Sequence, residues 1–428
     1  MSDSTILFIS YALHGHANPS LALARELADR GHRVQFAIPR EGAGWLDHPA
    51  IEKIDWEPSG PDGERLTQFQ RRVRGKASEQ ASWHHGQYLV TQSMTRTHKL
   101  VYETVRPLLQ KLRPAVVVTP QTLPPAMDAA VDANIPLAIQ SFFLPPSVRQ
   151  KSPGRAFEPP ICSSWLRRVE DCYYALRLQA AWYLHDRVRR RCSPCNSYGN
   201  LFRQHTVISS TAACIEPSCE FDSNVHMCGP IIAPPKPLPL DLLRWLDESR
   251  DEGVVFVALG TLVSLRPERI AALSDGLQRC RRRVLWALPE GQQRMLGHLP
   301  DSMRVENFVD QCGVLEHPAV RCFVNHAGAN SFMESMLCGK PMLACPIMLD
   351  QPFFASRVSA LGVGTVLNGH DITAEVIHGG LDKLLSNESF SRNALQVSRT
   401  LHQSGGVTSA AKVIEQVLKQ EPVRASAA

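Results

Sequence analysis

Short apolar runs alternate with amphipathic stretches along almost the whole chain. Ile6–Ser10, Arg33–Ile38, Ala115–Val118, Leu137–Phe143, Val207–Ser210 and Val225–Pro230 read as strands in the first half, and Val254–Leu259, Val284–Ala287 and Cys322–Asn325 in the second. Most are apolar throughout, the pattern of strands covered on both faces of a parallel sheet. Helical patterns separate them. Asn18 is the expected cap and Pro19 the first position of a helix whose buried stripe is Leu21, Ala24, Leu27 and Ala28, with Gly31 as its end. Thr91–Leu112, Met127–Asn134, Ile270–Leu277, Asn330–Cys338, Pro352–Leu361 and Val407–Lys419 are further helices. Ala233–Pro239, with four prolines, is a stiff extended linker. Strand–helix alternation on both sides of it predicts an α/β fold of two facing, doubly wound domains with a cleft between them.

Composition narrows the class without naming a function. The chain has 428 residues, enough for two cores, and its 44% hydrophobic and 20% charged content is that of a soluble globular protein. No apolar run is long enough for a membrane span, and Met1–Thr5 lacks the order of a secretory signal, so a cytoplasmic protein is expected. Much of the net charge of +5 comes from Arg187 with Arg189–Arg191 and from Arg279 with Arg281–Arg283. These read as solvated helix faces, with weak peripheral contact to an anionic membrane as the sharper alternative. No basic motif interleaved with aromatics supports nucleic-acid binding. The twelve cysteines are scattered, as reduced thiols would be. Cys192-Ser193-Pro194-Cys195 has zinc-like spacing but no second pair to complete a site, so no metal is expected. Trp165, Tyr173, Tyr174, Trp182 and Tyr183 are spaced for amphipathic helices packed within the first domain, direct ligand contact being the alternative.

The candidate chemistry lies at two strand ends. After Cys322–Asn325 comes a small-residue turn, His326-Ala327-Gly328-Ala329, and then a helix. A strand, a tight turn and a helix start form an anion site, because the first helical N–H groups lack internal partners and the dipole favours negative charge. His326, Asn330 and Ser331 can donate to phosphate oxygens, and Gly328 lets the backbone come close. Glu334 sits one helical turn beyond Asn330, about 5.4 Å along, where a carboxylate can accept from ribose hydroxyls. An ordinary strand–helix unit of a parallel sheet is the bland alternative. At the other end, His14 and His16 follow the first strand and so face the cleft. His16 is the better base, since a helix N-terminus disfavours imidazolium.

Two motifs together resemble a known family. His326-x-Gly328-x-Asn330-Ser331-x-x-Glu334, preceded by Phe308 and Gln311 and closed by Asp350-Gln351, is similar in order and spacing to the donor signature of family 1 nucleotide-sugar glycosyltransferases. His14-Gly15-His16-Ala17-Asn18-Pro19-Ser20 resembles the opening motif of bacterial macrolide glycosyltransferases. The resemblance implies the GT-B fold of two Rossmann-like domains and an inverting transfer without metal or cofactor. It divides the chain into an acceptor domain (1–232), the linker (233–240), a donor domain (241–405) and a last helix (406–420) that crosses back to the first domain. Gly60–Gly86 becomes a variable segment over the acceptor cleft.

Roles follow the motif position by position. The resemblance makes His16 the catalytic base. Phe308 stacks on the uracil, where the family usually has Trp, and Gln311 bonds the base or ribose. His326, Asn330 and Ser331 hold the phosphates, Glu334 the ribose, and Asp350 and Gln351 the sugar hydroxyls. Thr261, after Val254–Leu259 and Gly260, approaches the donor phosphate. UDP is the implied nucleotide and glucose the implied sugar, with a small apolar acceptor. One departure stands out: Pro120 occupies the place where many members carry an Asp that orients the base, leaving Gln121 or Thr119 to hold the imidazole. Asp128, on the following helix, matches a structural position of the family. A catalytically silent nucleotide-sugar-binding partner and a sugar-nucleotide epimerase of the same fold are the alternatives. A nicotinamide-dependent oxidoreductase is disfavoured, because no G-x-G-x-x-G follows an early strand.

Overall fold

The computed structural model describes residues 4–57, 83–144, 149–151, 165–193, 197–216, 220–260, 265–368 and 372–420. Most of Gly60–Gly86, together with Thr261 and Cys195, lies outside the described residues. Fifteen strands are described: β1 (Thr5–Ile9), β2 (Arg33–Ile38), β3 (Ile51–Asp55), β4 (Val116–Pro120), β5 (Leu137–Ser141), β6 (Arg149–Lys151), β7 (Thr206–Ser209), β8 (Glu220–Phe221), β9 (Val225–Met227), β10 (Val254–Ala258), β11 (Arg283–Ala287), β12 (Met303–Glu306), β13 (Val320–Asn325), β14 (Met342–Ala344) and β15 (Gly364–Val366). They build two parallel sheets, ordered β3-β2-β1-β4-β5-β7-β9 and β12-β11-β10-β13-β14-β15, and one antiparallel pair, β6-β8.

Parallel neighbours need crossovers long enough to hold a helix, and helices on both faces bury central strands such as β4, β5 and β10 completely. Alternate residues of β1 serve the two faces: Ile6 and Phe8 join one core with Leu23, Val34 and Phe36, while Leu7 and Ile9 join another with Val117, Met127 and Leu201. The second sheet repeats the arrangement, Val255 and Val257 facing one core and Val254 and Phe256 the other.

In each sheet the winding direction reverses at one place, between β1 and β4 in the first and between β10 and β13 in the second. The crevices beyond the carboxyl ends of those strand pairs are the ligand positions of a doubly wound sheet.

The last helix, Gly406–Lys419, leaves the second half and buries Ala410, Ala411, Val413 and Ile414 against the first helix. Its Glu415 pairs with Arg30 at 3.1 Å and His32 at 3.2 Å. Further contacts join the halves nearer the cleft. The Arg357 guanidinium donates to the Ile215 carbonyl at 2.6 Å, and Phe143 lies 6.4 Å from Phe353.

Among the described residues no helix is long and apolar enough to cross a membrane. On the long helix Trp165–Cys192, Tyr174 packs inward, stacked on His85 at 3.6 Å. Tyr173 and Tyr183 stand outward instead, where packing within the domain is the expectation, because the helix rests on the helix Trp83–Leu112 along one face only.

Candidate functional site

The two winding reversals put four strand ends together: β1 and β4 on one side of the cleft, β10 and β13 on the other. The first helix does not begin at Asn18. It spans His14–Asp29, with Leu13 as its cap and Pro19 inside. The Leu13 carbonyl accepts from the N–H of both His16 and Ala17, which starts the helix one turn before the proline. His16 is therefore the third residue of the helix rather than a residue of the loop before it. Pro19 has no N–H to return to Gly15, four residues back. The Gly15 carbonyl instead accepts from the Asn330 side-chain amide at 3.0 Å, a bond from the second half of the chain.

His14 takes the structural part. Its ring stacks on Trp45 at 4.0 Å and lies 5.8 Å from Phe308 of the opposite half. Burial lowers its pKa, opposed by a hydrogen bond to Asn18 that favours the charged ring. Phe308 is 67% exposed, open to a planar ligand on its free side.

His16 has the Phe142 ring 5.5 Å away and the Thr122 hydroxyl 3.2 Å from Nδ1. The expectation that Gln121 or Thr119 holds the imidazole is corrected here. Thr119 is wholly buried within β4. The Gln121 side-chain oxygen accepts from Ser141 at 2.6 Å, inside the domain. Thr122 lies in the turn just beyond β4, whose last pairing with β5 is Pro120 with Gln140.

On the far side, β13 ends in Asn325, wholly buried, whose side-chain oxygen accepts from the Ala327 N–H at 2.6 Å. Ala327 takes a left-handed conformation, φ 57°, which turns the chain into the helix Ala329–Leu337. The His326 ring lies between two glycines from neighbouring strand ends. A Cβ on Gly260 would fall 2.7 Å from its Cε1, and one on Gly328 2.5 Å from its Nε2. Burial pushes His326 down to about 4, so it is a neutral hydrogen-bonding group at pH 7.

The start of that helix is less open than its sequence implies. Asp350 accepts from the Ala329 N–H at 2.8 Å, and burial raises its carboxyl to about 6. Gln311 donates to Ser331 at 3.2 Å and to Glu334, so the expected base, phosphate and ribose contacts are already linked to one another. Burial raises Glu334 to about 7, against the lowering effect of the Gln311 bond. Gln351 departs from its expected part. Its side-chain oxygen accepts from the N–H groups of Ile347 and Met348, at 2.7 and 2.8 Å, in a turn made by the left-handed Leu349. Those two amides would otherwise be buried without acceptors, so only the nitrogen of the Gln351 amide is available to a ligand.

Phe308, Gln311, His326, Gly328, Asn330, Ser331, Glu334 and Asp350 thus gather on one wall, with His16 on the other. Sequence reasoning missed Thr122 and Trp45, neither of which carries a local signal of its place. Among the described residues no group of three or more His, Cys, Asp or Glu side chains could hold a metal ion. Such a wall can stabilise negative charge through N–H donors while the imidazole opposite accepts a proton.

Residues 207–417 match the family model described as UDP-glucoronosyl and UDP-glucosyl transferase. The rat 2-hydroxyacylsphingosine 1-beta-galactosyltransferase is 31% identical over 175 residues, 41% of this chain and 32% of that protein. The UDP-glucuronosyltransferase 2B33 of Macaca mulatta is 25% identical over 319 residues, 68% of this chain and 58% of that one. The chain therefore spans about a third to little more than half the length of these relatives. Among solved structures, the glycotransferase of kitacinnamycin superposes with TM-score 0.72 at 20% identity, covering 98% of this chain and 100% of that one. The UDP-glucose: anthocyanidin 3-O-glucosyltransferase in complex with UDP gives 0.70 at 17% identity, with 98% and 100% covered. Residues 207–417 thus match the UDP-glucoronosyl and UDP-glucosyl transferase model, and the whole chain has the GT-B fold.

Proposed function

We propose that this chain is an inverting UDP-sugar-dependent glycosyltransferase, with glucose as the sugar and a small, largely apolar natural product as the acceptor. The observation that carries the reading is the bond between Asn330 and Gly15. It ties the helix start of the donor wall to the residue next to His16, so a base and a diphosphate-binding turn meet across one cleft.

The reaction is a single displacement. The acceptor oxygen forms a bond to C1 of the sugar, its proton passes to His16, and the C1–oxygen bond to the diphosphate breaks with its electron pair leaving on UDP. His326 and the amides at the helix start stabilise the charge that builds on the leaving diphosphate. Phe308 stacks on the uracil, and Glu334 accepts from the ribose hydroxyls once Gln311 yields to them. Asp350 reaches a sugar hydroxyl through its second oxygen. No metal ion is needed in this scheme, so a chelator leaves turnover unchanged.

Incubation with UDP-glucose and a panel of phenols and macrolides tests the reading by product mass. His16→Ala is expected to lower kcat at least 100-fold with UDP affinity unchanged, the size of a lost general base. Glu334→Ala weakens UDP binding about tenfold and leaves kcat near the parent value. UDP binding without any transfer or donor hydrolysis would instead favour a silent nucleotide-sugar-binding partner.

A further inference from the structure

We propose that Thr122 orients His16, and that a hydroxyl in this position suits the site to acidic acceptors, phenols and enols, rather than aliphatic alcohols. The inference rests on His16 being the base and goes on to name the acceptor class. Thr122 Oγ1 lies 3.2 Å from Nδ1 of the imidazole, and when the hydroxyl accepts from Nδ1–H the proton-accepting nitrogen is Nε2.

The threonine is held firmly enough for the task. At the residue before it, the Gln121 N–H donates to the Gln140 carbonyl at 2.9 Å, and the Gln121 carbonyl accepts from the Tyr198 hydroxyl at 2.8 Å. The Gln121 side chain is anchored by Ser141 at 2.6 Å. The main chain under Thr122 is thus fixed from three directions, and Phe142 bounds the imidazole on another side at 5.5 Å.

A hydroxyl and a carboxylate do different work at Nδ1. Both can accept from Nδ1–H, which leaves the Nε2 lone pair for the acceptor proton. Only the hydroxyl can also donate to Nδ1, which puts the proton on Nε2 and idles the base. A carboxylate would further stabilise the imidazolium formed during attack, whereas a neutral hydroxyl contributes only its dipole. The base is then matched to protons that leave readily. A phenol, with a pKa of about 10 like that of tyrosine, gives up its proton far more easily than an alkanol.

The test measures initial rates with UDP-glucose, comparing substituted phenols with benzyl alcohols of matched size. The parent, Thr122→Val, Thr122→Ser and Thr122→Asp are assayed, with UDP titration calorimetry to show that each variant is folded. For the parent, kcat should rise as the phenol becomes more acidic, and benzyl alcohols should react at least 100-fold more slowly. Thr122→Val should lose about tenfold in kcat with acceptor KM unchanged, the effect of one neutral hydrogen bond, and Thr122→Ser should restore it. Thr122→Asp should raise turnover of benzyl alcohols about tenfold or more. Equal parental rates on phenols and benzyl alcohols, an unchanged kcat in Thr122→Val, or no gain on alcohols in Thr122→Asp would overturn the inference while leaving glycosyl transfer intact. Absence of transfer to any acceptor would overturn both.

Discussion

Glu334 offers the most direct check on the electrostatics of the donor wall. Its carboxyl is raised from 4.5 to about 7, because burial penalises the ionised form more than the Gln311 amide favours it. The folded chain therefore holds this proton more tightly than the unfolded chain between those two pH values. Stability from this group is fully present below 4.5 and is lost as pH rises through 7. A difference of about 2.5 pH units at 1.36 kcal/mol each gives about 3 kcal/mol. Glu334→Gln keeps the shape of the protonated acid and its acceptor for Gln311, and it cannot ionise. Parent and variant should have nearly equal stability at pH 4, and the variant should be more stable by about 3 kcal/mol at pH 8. Urea unfolding followed by tryptophan fluorescence from pH 4 to 8 measures the gap. The raised Asp350 carboxyl is present in both proteins and cancels. A gap that stays constant across this range would refute the assignment of a buried, proton-holding Glu334. The same variant should bind UDP more weakly, since a neutral amide is a poorer acceptor for ribose hydroxyls than a carboxylate, so stability and binding move in opposite directions.

Gly328→Ala sets a Cβ 2.5 Å from Nε2 of His326 and must displace that ring. UDP affinity by calorimetry should fall about tenfold, one hydrogen bond's worth, with the melting temperature nearly unchanged. Within the first domain, Arg189 and Asp128 form a bidentate pair at 2.7 and 2.6 Å, with His98 3.3 Å from the same carboxylate, all wholly buried. Asp128→Ala leaves the guanidinium only the longer pairing with Asp186 at 3.6 Å and should cost about 3 kcal/mol in thermal unfolding, and adding Arg189→Met should recover most of it.

Much of this architecture was readable from local pattern. The central strands of both sheets are largely apolar on both faces, so β1, β10 and β13 stand out without any knowledge of their neighbours. The short β3, with Glu52, Lys53 and Asp55 among its five residues, does not, because it is an edge strand and needs only one buried side. The part of the donor wall from His326 to Glu334 was legible because it follows one strand through one turn into one helix, where spacing fixes geometry. The second bond set of Gln351 was not legible, since its sequence position could not reveal that two amides of the preceding turn would claim its oxygen. Thr122 is a different kind of miss. Its place beside His16 depends on β4 pairing with β1 across more than a hundred residues, and no local periodicity encodes that. The helix start failed for a simpler reason: proline is preferred at a first position, yet here the chain closes its first turn on Leu13 and carries Pro19 through the next one.

That proline has an effect reaching beyond its own helix. By withholding one amide it bares a main-chain oxygen at the seam, and the seam is fastened there by a side chain some three hundred positions downstream. The two halves are therefore not freely interchangeable parts. A hybrid enzyme joining residues 1–232 to a foreign second half keeps the fastening only if the newcomer offers an N–H donor where Asn330 stands.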